Sequence, residues 1–147
     1  MTRPAQIWRR VPILAVAGGL GFWVANLAVS LSPIAAEYRD ALSIAYVPML
    51  LQAILGGLVL SFGVSYFLVR FYDRIPNQSP VLKSMLLSLT ALVAVTALVE
   101  VPAKFLAPTH DAWRYFLIAA LFNVIRIAAL GVVIGLLYGR LYKRATG

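Results

Sequence analysis

One arginine stands where arginines are rare. Residues 115–138 read YFLIAALFNVIRIAALGVVIGLLY, with Arg126 at the middle and Asn123 about one turn before it. A cation at bilayer depth costs roughly 2.5–3.5 kcal/mol on insertion scales, so it needs a polar partner or water. Asn26, Gln52 and Glu100 also interrupt apolar runs, and with Asn123 and Arg126 they form an intramembrane polar set. A carboxylate alone in lipid goes neutral, whereas one facing a guanidinium can stay charged. Such a set offers charge and hydrogen bonding. It reads either as a structural polar clamp, the commoner case, or as a hydrated cleft on the route of a solute or proton.

Other chemistry finds little support. His110, the single histidine, stands beside Asp111 in a polar connector and reads as an exposed turn or helix cap. No second nucleophile, carboxylate dyad or metal-ligand spacing accompanies it, and no phosphate-binding loop is present. Without cysteine, thiolate chemistry and Cys-based metal sites are excluded. The expectation is a protein that is not an enzyme, with no catalytic residues, no cofactor and no metal.

The elements that position the polar set are apolar helices. Of 147 residues 62% are hydrophobic and 12% charged, against about 45–50% and 25% in soluble domains. Long uncharged runs predict spans near 11–31, 46–69, 82–101 and 113–141, each of the order needed to cross a bilayer. Residues 1–147 then form a single domain. The fold expected is all-α: an antiparallel up-down bundle of four transmembrane helices with a short extracytoplasmic interfacial helix near 33–42. Ser32-Pro33 has the form of an N-cap followed by proline at the first helical position. A basic head before an apolar run is also the layout of a signal peptide. The first run exceeds the usual h-region of about 7–15 residues, which favours a retained helix. The third run is short, and Glu100 ends it, so Pro102 and Lys104 are assigned to the next connector.

The net charge of +8 would indicate nucleic acid in a soluble protein. Here the basic residues sort by connector. The head, the connector 70–83 and the tail hold nine Lys/Arg against one acid, Asp73; the other two connectors hold Arg39, Lys104 and Arg114 against four acids. The Lys/Arg bias places both termini in the cytoplasm and the chain in a cell (inner) membrane.

Side chains lean toward the N-terminus of their own helix. With this orientation Arg126 leans outward while Asn26 and Glu100 lean inward. Arg126 and Glu100, roughly 12 Å apart in depth by helix rise, are expected to meet directly, through Asn123 or through water.

Gly131, Gly135 and Gly139 recur every fourth residue and make a groove for close helix approach, on the face roughly opposite Arg126. Ala17, Gly21 and Ala25 in the first span are a plausible complement. A faint repeat relates Asp40-Ala41-Leu42 to Asp111-Ala112-Trp113, and residues 70–74 to 140–144. Duplicated hairpins of this kind occur in parallel-repeat transporters, but interfacial Tyr and Arg at span ends produce the same echo.

Two functions remain. The favoured one is a non-enzymatic multi-pass protein acting by helix–helix assembly with itself, as a homo-oligomer, or with a membrane partner. The alternative is a small permease or channel subunit with a polar cleft around Arg126 and Glu100. The lipid bilayer is the expected setting in both.

Overall fold

The structure, a computed structural model, describes residues 3–143. Helix α1 is Pro4–Ser30, α2 Pro33–Ala41, α3 Tyr46–Phe71, α4 Pro80–Val95 and α5 Ala112–Tyr138. The four long helices are mainly apolar, α2 is short and amphipathic, and three of the five begin with proline. Proline at N1 gives up a donor that has no intrahelical partner there. Ser32 joins α1 to α2 as expected: its Oγ donates to Val29 O (2.8 Å) and accepts from Ala35 N–H (3.2 Å). One hydroxyl thereby ends the first helix and caps the second. The turn before α4 is made by Asn77 at φ 99, whose Oδ1 accepts from Ser79 N–H at 3.1 Å.

The third span departs from expectation. The helix does not stop at Glu100 but continues through wider π turns, Thr96–Glu100 and Pro102–Leu106, as one span Pro80–Leu106. In an α-helix Pro102 would press on the carbonyl of Leu98 and offer it no donor. A π turn moves that carbonyl aside, so the helix survives the proline. Lys104, assigned from sequence to a connector, is therefore on the helix, one turn beyond Glu100.

The four long helices form an antiparallel bundle. α1 packs against both α3 and α5, while α4 lies on α5 and touches α3 only lightly. Val11, Leu14, Leu68, Leu130 and Ile134 are fully buried at the centre. Leu55, Val59, Leu98 and Leu117 point outward with most of their surface bare. Apolar residues cover the outside of the bundle as well as its core, as lipid-facing helices require. Each of the four is long and apolar enough to cross a membrane.

Small residues set the helix spacings. A Cβ on Gly135 would lie 2.5 Å from Val81 Cα, and one on Gly131 2.5 Å from Ser88 Oγ, so this face of α5 receives α4. The complement is thus not Ala17, Gly21 and Ala25. A Cβ on Gly21 would meet Val133, on another face of α5. Gly139 has only ordinary contact with Pro80, 3.5 Å away.

The two ends of the bundle are chemically distinct. At one end the Tyr72 and Tyr138 rings stack at 4.7 Å, and the Arg10 guanidinium lies 4.4 Å over the Tyr142 ring. At the other end lie α2 and the connector before α5. The two hairpins also differ: α2 is a separate helix in the first, whereas in the second the stretch after Glu100 stays on α4.

Candidate functional site

The polar residues of four helices converge at the α2 end. Arg126, on α5, donates from Nε to Phe122 O (3.2 Å) and from one terminal nitrogen to Asn26 Oδ1 on α1 (2.8 Å). Its other terminal nitrogen donates to Asn123 Oδ1, one turn back on α5. Asn123 Nδ2 in turn donates to Glu100 Oε1 at 3.0 Å. Arg126 and Glu100 are therefore linked through the Asn123 amide rather than in direct contact. The second oxygen of Glu100, Oε2, pairs with Lys104 Nζ at 2.9 Å, with both side chains largely buried. The π-wound end of α4 presents this pair to α5, and the i, i+4 spacing aligns its two members.

Hydrogen bonding fixes the amide orientations. Asn26 must turn its oxygen to the guanidinium, because two donors cannot face each other. Its Nδ2 is then left buried with no hydrogen-bond partner, on a side chain only 3% exposed. Arg126 likewise carries more N–H donors than these three contacts use.

Beside this network is a cavity of about 220 Å³. Asn26, Arg126 and Glu100 line it, Gln52 contributes from α3, and Tyr38 and Arg39 from α2. The Tyr38 ring sits edge-on to Phe122 (5.9 Å) and Tyr115 (6.0 Å), with Lys104 Nζ 5.4 Å from its centroid. Arg39 donates to Ser30 O at 2.9 Å and lies over the Tyr46 ring. The Tyr46 hydroxyl donates to Ser30 Oγ at 3.0 Å, since the Ser30 proton is committed to Leu27 O at 2.7 Å. An ion pair between Glu37 and Arg114 ties α2 to α5 at the surface.

The structure thus gathers Asn26, Glu100, Asn123 and Arg126 into one hydrogen-bonded chain and places Gln52 on the same cavity. Gly131, Gly135 and Gly139 lie elsewhere, along the contact with α4. His110 is exposed in the connector and does not line the cavity. Among the described residues no group of three or more His, Cys, Asp or Glu comes together.

Lys104, Tyr38 and Arg39 were missed from sequence. For Lys104 the i, i+4 spacing from Glu100 was the available signal, masked by Pro102. Tyr38 and Arg39 read as the surface of an interfacial helix, and nothing local marks them as a roof.

Four spanning helices around an intramembrane polar network define a multi-pass membrane protein. No protein-family model matches the chain, and no curated protein and no solved structure shows significant similarity to it.

Proposed function

We propose that the protein is a non-enzymatic membrane protein that binds a small polar solute in the cleft beneath α2, as a small permease or channel subunit does. The carrying observation is the cavity beside Arg126, which is bordered by hydrogen-bonding groups and roofed by Tyr38 and Arg39. A purely structural clamp needs no such space next to its charges. At about 220 Å³ the cavity is below the roughly 300–1,000 Å³ of sites for drug-sized ligands, which favours a small solute. The π turns flanking Glu100 add support, because π geometry inside α-helices is frequent at functional sites. Assembly through the glycine stripe loses its main argument, since α4 of the same chain occupies the face of Gly131 and Gly135.

The orientation belongs to this reading. Nine basic residues sit in the head, the 70–83 connector and the tail. With Lys104 buried on α4, the opposite end keeps only Arg39 on α2 and Arg114 in the first turn of α5. The Lys/Arg bias puts both termini in the cytoplasm of a cell with the cleft opening outward.

The chain has no cysteine, so single cysteines report cleanly. In intact cells a membrane-impermeant maleimide should label Gln52→Cys from outside and Asn77→Cys only after permeabilisation. An unreactive Gln52→Cys under both conditions removes the water-reachable cleft. Reversed sidedness removes the orientation.

A further inference from the structure

We propose that the cleft is an oxyanion site, holding the carboxylate or phosphate group of a small amphiphile against Arg126, Asn26 and Arg39. This deepens the solute-binding reading and rests on it for access to the cleft.

Three observations carry the proposal. First, Asn26 Nδ2 is a donor without an acceptor, on a side chain almost wholly buried at the cavity wall. Its orientation is set by Arg126, so it cannot turn over to hide the donor. A buried unsatisfied donor is costly, and an oxyanion seated on the neighbouring Arg126 would supply the acceptor after a small shift of the Asn26 side chain. Second, Arg126 lies on the same wall with N–H groups beyond those bound to Asn26, Asn123 and Phe122. One oxyanion can accept from both neighbours at once. Third, the charge balance is positive. Arg126 and Arg39 line the cavity with a single acid, Glu100, and both Glu100 oxygens are taken, by Asn123 and by Lys104 outside the cavity lining. Uncompensated positive charge at the wall of a cleft attracts an anion and repels a cation.

The remaining walls say what the anion is attached to. Ile44, Met49, Ala119 and Phe122 line the cavity, so the group beyond the oxyanion is short and apolar. Two sources supply that chemistry: a free short-chain carboxylate, or the phosphodiester of an anionic lipid entering from the bilayer.

The test uses the full chain in phosphatidylcholine nanodiscs, with thermal unfolding as the readout. Hexanoate, hexanamide and hexylammonium are compared at equal concentration, and a parallel set of discs contains phosphatidylglycerol. Hexanoate should raise the melting temperature in a saturable way, and hexanamide and hexylammonium should not. Asn26→Asp keeps an oxygen for Arg126 and puts a carboxylate oxygen where Nδ2 stands, so it should fold and weaken hexanoate by about tenfold or more. Arg39→Gln, on the partly exposed α2, should fold and weaken it less. A rise with phosphatidylglycerol alone, lost in Asn26→Asp, supports the oxyanion site, assigns it to lipid and overturns the solute reading. Binding of hexanamide or hexylammonium that Asn26→Asp leaves intact or strengthens overturns the oxyanion site while the solute cleft stands. No response to any ligand or lipid overturns the oxyanion site, and the cysteine labelling decides the cleft separately.

Discussion

The two ends of this bundle hold their helices together by opposite means. At the α2 end, helices are kept apart by long side chains. Arg126, Asn26, Asn123, Glu100 and Lys104 span the gaps with hydrogen bonds, and a cavity remains between them. At the other end, α4 and α5 approach until Gly135 faces the backbone of Val81, and the ring of Tyr72, just past α3, stacks on Tyr138 of α5. In lipid there is no hydrophobic force to press helices together, so packing and hydrogen bonds share that role. Here close packing dominates at one end, where Lys83 also donates to Tyr72 O, and side-chain hydrogen bonding dominates at the other. The close-packed end brings backbones together, and the polar end gives up close packing for donors and space.

The comparison can be broken most forcefully at Glu100. Glu100→Leu leaves Lys104 and the Asn123–Arg126 pair without their acceptor, and loss of one member of a buried network typically costs about 3–5 kcal/mol. Arg126→Leu should be comparable. Because Asn123 links the two, Arg126→Leu with Glu100→Leu should cost less than the sum, by about 0.5–3 kcal/mol. Chemical unfolding in detergent measures the cycle; strictly additive losses would mean that Asn123 transmits nothing.

Next comes the tight end. Gly135→Ala drives a Cβ into backbone, which cannot yield as a side chain can, and overpacking of this kind costs about 1–3 kcal/mol. Gly135→Leu should be worse. Gly131→Ala meets Ser88 Oγ and Met85 Sδ, which can move, so its cost should be about 1 kcal/mol or less. Gly139→Ala finds ordinary contact distance and gains helix propensity, so it should be neutral or slightly stabilising. Equal effects at all three positions, read from the same unfolding curves, would contradict the register of α4 on α5.

The smallest effect separates surface charge from buried charge. Glu37 and Arg114 are about half exposed, so Glu37→Gln should cost about 0–1 kcal/mol and its effect should fade in high salt. The loss from Glu100→Leu should persist in salt, because buried pairs are screened much less. A salt response of the same size at both positions would place Glu100 in contact with bulk water.

Much of the fold was legible in the chain because its signals are local. The solvent is written in composition, the spans in uninterrupted apolar length, and the start of α2 in Ser32-Pro33. The polar set Asn26, Gln52, Glu100, Asn123 and Arg126 stood out for the same reason, as exceptions within apolar runs. Tertiary structure alone decided which of these touch. Arg126 reaches Glu100 through Asn123 because Asn123, one turn back on the same helix, stands between them and takes the Glu100 oxygen itself, a register across two helices that no residue spacing encodes. Lys104 joined the site only because α4 absorbs Pro102 in a π turn, which depends on α5 to pack against. The glycine stripe announced a close neighbour, but any helix with small residues would fit it. The packing of the whole bundle made that neighbour α4 and left α1 on another face.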